Sequence, residues 1–262
     1  MPLSAIVVWN EIRKHFVLSF SYRLNIVATS VTAGFTFAAA MFLVGRGSFA
    51  HDSVSSSFIG YVVWFYAFVT VTQMGRNVAE EAQTGTLEQM FLSPVPPVLL
   101  LVGRAIGAML MATIFAAPFA IALPLILEIE LPLHWEVIPA AAITMAGLLG
   151  FGFALSGITL VVKRTAGIAT LAQNALLFLS GALIPISQFP GWLQGFSKLL
   201  PITLGIELIR DLGLEDVALS QAWSSGSLPW LVAHSSVYLV IGIVIFRVGE
   251  RTARRQGSLS AY

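Results

Sequence analysis

The apolar positions of this chain fall into long runs separated by short polar stretches. Six runs, at about 24–44, 58–78, 103–127, 137–162, 168–186 and 228–246, are long enough and poor enough in charge to cross a hydrocarbon core, which takes about 20 helical residues. The start of the chain follows another rule. Ala5, Val8, Trp9, Ile12 and Phe16 recur at helical spacing, with Ser4, Asn10, Glu11, Arg13 and Lys14 on the opposite face. This pattern predicts an amphipathic helix within 1–20, lying either in the membrane interface with Trp9 at headgroup level or on the protein's own cytoplasmic surface. Residues 187–227 are also apolar in stripes, Phe189, Trp192, Phe196, Leu199 and Leu200 and then Ile202, Gly205, Ile206, Ile209 and Leu212, punctuated by Pro185, Pro190 and Pro201. Two short helices that dip into the outer leaflet or cap the spans read this way.

Composition sharpens this picture. The chain is 57% hydrophobic and 10% charged, where a soluble domain carries about 25% charged residues, and its mean hydropathy is +0.86. A water-soluble globule is excluded. The expected fold is an all-α membrane protein, one transmembrane domain over 1–262 with six spans. Spans one to five occupy 24–186, the outer helices 187–227, the last span 228–246 and a basic tail 247–262. With the N-terminus inside, eleven of the 14 basic residues fall on inner segments, and only Arg46, Lys198 and Arg210 lie outside. The positive-inside rule therefore sets both termini in the cytoplasm. Glu11, Arg13 and Lys14 interrupt the stretch where a signal peptide would have its apolar region.

Several chemistries are missing. The net charge of +1 comes with no basic run that could follow a nucleic-acid backbone, and the absence of cysteine removes disulfides and thiol chemistry. No G-x-x-x-x-G-K-[ST] loop is present, and no H-E-x-x-H. No catalytic or metal-ligating set is assigned. Six spans with serines beside glycines raise the question of an intramembrane serine protease. The nearest matches, Ala154-Leu155-Ser156-Gly157 and Phe178-Leu179-Ser180-Gly181, lack the first glycine of G-x-S-G. His234, in the sixth span, reads as a packing donor rather than a ligand.

The segment 79–97 carries the strongest local signal. Thr86-Leu87-Glu88-Gln89 fits a capping box, Gly85 permits the turn into it, and Pro94, Pro96 and Pro97 end the helix. Leu87, Met90 and Phe91 share one face, suited to the membrane surface or to a partner's groove. The run Glu80-Glu81-x-x-x-Gly85-Thr86-Leu87-Glu88, followed by Ser93-Pro94, resembles the cytoplasmic signature of type-2 ABC transporter permeases. So do Leu179-Ser180-Gly181-Ala182-Leu183-Ile184-Pro185-Ile186, Phe189-Pro190-Gly191-Trp192-Leu193, Leu200-Pro201 and Glu207-Leu208-Ile209-Arg210. The last set is most similar to the drug, antibiotic and lipid exporting branch.

The resemblance implies a permease that pairs with a second copy, or a close homologue, and binds two copies of a separate ABC ATPase. ATP and magnesium would then sit on the partner, with no cofactor in this chain. It implies coupling through Glu81, Gly85, Thr86, Leu87, Glu88, Met90 and Phe91, a re-entrant hairpin before the last span, and a place in the cell (inner) membrane in contact with lipid.

Polar stripes within the spans give a candidate pathway. Asn25, Thr29, Thr32 and Thr36 share a face of span one; Tyr66, Thr70 and Gln73 share one of span two; Thr170, Gln173 and Asn174 lie on span five. Such faces should point into the bundle. Each residue alone is explained by interhelical hydrogen bonding; the stripes as sets fit a substrate path. No span carries a carboxylate near its centre, which argues against a proton-coupled carrier. The expected function is an ATP-driven exporter of a hydrophobic or amphiphilic substrate. A secondary carrier or channel, and more remotely the protease, are the alternatives.

Overall fold

The computed structural model describes residues 6, 8–14, 17, 23–44, 51–83, 96–127, 134–162, 166–215 and 217–255. Every regular element among them is helical. In chain order these are α1 (Arg23–Val44), α2 (His51–Gln83), α3 (Pro97–Leu127), α4 (Val137–Val161), α5 (Ala166–Leu179), a 3-10 turn (Ile186–Gln188), α6 (Gly191–Ser197), α7 (Thr203–Leu214), α8 (Leu219–Ser224) and α9 (Ser227–Arg255). Residues 8–14 are helical as well.

Five helices, α1 to α4 and α9, are long and apolar enough to cross a membrane. Their positions follow the hydropathy runs, but α2 and α9 extend well past them. At 33 residues, α2 is about 50 Å long at 1.5 Å per residue, more than a hydrocarbon core requires. It is also the most buried of the five and touches α1, α3, α4, α5 and α7. Its aromatic side chains build the core. The rings of Phe37 and Phe58 lie 5.3 Å apart, those of Tyr61 and Trp64 5.1 Å, and those of Phe65 and Phe119 5.2 Å. In contrast, Leu24, Val31, Phe35 and Leu43 of α1 and Val240, Val244 and Val248 of α9 are exposed, as lipid-facing residues are.

The fifth run departs from expectation. The sequence predicts a helix over 168–186, yet α5 has 14 residues and ends at Leu179. Gly181 takes a φ of 82°, open to glycine at little steric cost, and the chain then runs irregularly to Pro185. Ala182 and Leu183 are nonetheless buried. Hydropathy reports that a residue leaves water; it does not report whether a continuous helix takes it there. Non-helical backbone is tolerated at such depth when protein satisfies its polar groups, and here Ser57 Oγ donates to the Leu183 carbonyl.

The tightest helix pair is α4 with α9. A Cβ on Gly157 would lie 2.7 Å from Cα of Phe246, and one on Gly147 would lie 2.9 Å from Ser235 Oγ. Small residues let the two backbones touch, the usual way helices associate where lipid offers no hydrophobic drive. The early helical residues pack on α3. A Cβ on Gly103 would meet Cβ of Glu11 at 3.0 Å and Cα of Val8 at 3.2 Å, and Arg104 Nε donates to Glu11 Oε2 at 2.9 Å. Glu11 thus faces the protein rather than water, while Trp9 is exposed. The segment packs on its own bundle and leaves the Trp9 indole exposed.

Candidate functional site

The polar stripe of α1 has a partner. Thr29, Thr32 and Thr36 line one wall of a groove of about 500 Å³, and Tyr61, Trp64, Phe65 and Phe68 of α2 line the other. The two walls form because 29, 32 and 36 recur at one helical face, as do 61, 64, 65 and 68. The backbone is held where it flanks the groove. Tyr61 Oη donates to the Ala33 carbonyl at 2.9 Å, Thr36 Oγ1 donates to the Thr32 carbonyl at 2.7 Å, and Trp64 Nε1 donates to the Gln173 carbonyl at 3.0 Å. One face is aromatic and the other carries hydroxyls. Among the described residues no carboxylate lines it.

The other predicted stripes do not join this groove. Tyr66 and Thr113 share a 2.8 Å hydroxyl–hydroxyl bond that ties α2 to α3. Gln173 Nε2 donates to Thr72 Oγ1 at 2.6 Å, tying α5 to α2. Thr70 is fully buried and its Oγ1 has no partner. Gln73 is half-buried, and Thr170 and Asn174 are exposed. The Asn25 and Glu81 side chains, and the whole segment holding Gly85, Thr86, Leu87, Glu88, Met90 and Phe91, lie outside the described residues.

The sequence does carry a signal for the aromatic wall, the shared helical face of Tyr61, Trp64, Phe65 and Phe68. It assigns no role to Arg210. This side chain is only 7% exposed. Its Nε donates to the Ser56 carbonyl at 2.8 Å, and its Nη2 donates to the carbonyls of Gly181 and Ala182 at 2.8 and 3.2 Å. Burial pushes its pKa down to about 10, opposed by Glu207 and Asp211. Gly60 makes the room, since a Cβ there would overlap the Ala182 carbonyl. Arg210 therefore serves the carbonyls freed where α5 stops.

The two serines weighed as nucleophiles are committed elsewhere. Ser156 Oγ donates to the Met74 carbonyl at 3.2 Å, and Ser180 Oγ donates to the Leu176 carbonyl. A hydroxyl proton bonded to a carbonyl is not on its way to a base.

Five helices long and apolar enough to cross a membrane mark a multi-pass membrane protein. Residues 23–247 match the family described as ABC-2 family transporter protein, and the chain belongs to that family. It is 28% identical over 153 residues to the "Probable multidrug ABC transporter permease YbhR" of Escherichia coli strain K12, a match covering 57% of this chain and 41% of that protein. Over 71 residues it is 39% identical to "Nodulation protein J" of Sinorhizobium fredii, covering 24% of this chain and 27% of that protein. The matched region thus spans about two fifths of the permease and about a quarter of the nodulation protein. Over the matched region the chain is similar to the permease, or membrane, component of an ABC transporter.

Proposed function

We propose that this permease exports a hydrophobic or amphiphilic substrate across the cell (inner) membrane, with the groove between α1 and α2 as part of its path. The observation that carries this reading is the groove's two-sided lining: Thr29, Thr32 and Thr36 stand on one wall and four aromatic residues on the other. Such a surface accepts an apolar body together with a few polar groups. The lack of a carboxylate among the described lining residues fits an energy source outside the membrane rather than a proton relay. Similarity to a protein described as a probable multidrug permease supports the same substrate class.

ATP and magnesium act on two copies of a separate ATPase. The segment Thr86–Phe91, which its capping box predicts to be helical, docks there, and two permease copies, or a close heteropair, rock between inward and outward exposure with both termini in the cytoplasm. The expected test is uptake of labelled amphiphiles into inverted vesicles holding the permease and its ATPase. Transport should require ATP. Phe91→Ala, which forfeits up to about 3 kcal/mol of apolar burial at the ATPase, should abolish substrate-stimulated hydrolysis while insertion remains normal. Uptake that proceeds without ATP would favour a secondary carrier or channel instead.

A further inference from the structure

A second cavity, of about 570 Å³, lies at the end of the bundle where α2 and α9 begin, beneath α7. Glu207, Asp211 and the helix-capping Glu215 line it at successive turns of α7. Arg210 lines it too. With Nε and Nη2 committed to carbonyls, Nη1 makes no hydrogen bond among the described residues. Trp230 stands at the cavity, 62% exposed. The opposite end of α9 holds Arg247, Arg251, Arg254 and Arg255, the basic end that stays in the cytoplasm. The cavity accordingly opens on the extracytoplasmic side.

The charges here are unusual in kind. Three carboxylates and one guanidinium give a negative site with a cation built into its wall. Burial raises the pKa of both Glu207 and Asp211, so the site is partly withdrawn from water, where charge interactions strengthen. A simple anion would meet the carboxylates, and a simple cation would leave Nη1 unused. A headgroup with both signs answers every group present. The exposed indole beside it is the side chain expected at the boundary between water and hydrocarbon, and it can also hold an ammonium over its face.

We propose that this cavity binds a zwitterionic amphiphile, with its ammonium against Glu207, Asp211 and Glu215, its anionic group on Arg210 Nη1, and its tail in lipid beside Trp230. The same chemistry is offered by an outer-leaflet phospholipid and by an exported amphiphile.

The test uses the delipidated full-length permease in detergent, with short-chain phosphatidylethanolamine as probe and phosphatidylglycerol of the same chains as comparator, measured by calorimetry. Phosphatidylethanolamine should bind roughly tenfold more tightly, as expected for one charge-assisted contact at a half-buried site. The combined variant Glu207→Gln, Asp211→Asn and Glu215→Gln should lose that preference, and Trp230→Ala should weaken binding several-fold. If the triple variant melts early, Glu215→Gln alone, at an exposed position, should still shrink the preference. Equal binding of the two lipids by the wild type, or an unchanged preference in the variants, overturns the proposal. Adding the ATPase and ATP separates the two sources, both of which uphold the site: cargo leaves on turnover, whereas a resident lipid stays. Binding is read without transport, so failure of the export reading would leave this result intact.

Discussion

The carbonyl oxygen of Gly150 occupies the space in which a side chain on Gly242 would have to begin. Seven residues further along both helices, the carbonyl of Gly157 does the same to Gly249. Helices α4 and α9 therefore meet backbone to backbone over two turns and behave as one unit. Gly242→Leu should force them apart, costing at least the roughly 1–3 kcal/mol of ordinary overpacking. Gly75→Ala is the control, because nothing lies within 4 Å of its Cβ position. Thermal melts in detergent should separate the two variants clearly; equal melting points would mean that α4 and α9 can part without loss.

Arg210 should be a stability residue as well as a cavity wall. Arg210→Met leaves the carbonyls of Ser56, Gly181 and Ala182 without this donor, and each buried carbonyl left unpaired costs about 1–3 kcal/mol. The variant should unfold at markedly lower denaturant. Arg210→Lys should recover only part, since an ammonium cannot reach in two directions as a planar fork does. A methionine variant as stable as wild type would show that the break after α5 holds itself.

The pair Glu11 and Arg104 links the early helical segment to α3, with side chains 17% and 13% exposed. A double-mutant cycle should give a coupling of about 1 kcal/mol, the upper end for exposed pairs. Exchanging the charges, Glu11→Arg with Arg104→Glu, should restore protease protection of the segment that either single change removes. No recovery in the exchanged protein would put the docking on Val8 and Gly103 alone.

The groove can be filled from within. Thr32→Phe adds bulk on the hydroxyl wall opposite Trp64 and Phe65, and should reduce transport of large amphiphiles more than small ones. Trp64→Phe removes the bond to the Gln173 carbonyl, costing about 0.5–1.5 kcal/mol, and should loosen α5 against α2. ATP-dependent uptake of a size series reads the first effect, and melting reads the second. Uptake insensitive to Thr32→Phe would take the groove off the path.

Topology is testable with cysteines, which the native chain lacks. Ser224→Cys, at an exposed position on α8, should react with an impermeant thiol reagent from outside intact cells. Gln83→Cys, at the end of α2, should react only after the membrane is opened. The reverse pattern would invert the orientation and remove the coupling role of 86–93 with it.

Much of this protein is written in one dimension. A spanning helix must bury all of its surface in lipid or protein, so its apolar run shows in the sequence wherever its neighbours are. This is why α1, α3 and α4 lie close to their predicted bounds, and why family membership could be read from motif order. The threonine stripe of α1 was legible for the same reason: a 3.6-residue repeat reports a shared face. The partner of that face was not legible, because nothing local says that Thr32 will stand across from Trp64 rather than from lipid. The end of α5 was hidden too. Leu183 and Ile184 are as apolar in an irregular segment packed inside protein as in a helix packed against lipid. Arg210 illustrates the limit most directly. Flanked by Glu207 and Asp211, it reads as one charge among several on a wet surface. Its burial rests on carbonyls supplied by Ser56, 154 residues earlier, and by Gly181 and Ala182. Local periodicity determines which residues must leave water. Only the assembled bundle decides which polar groups they meet, because those partners come from segments distant in the chain.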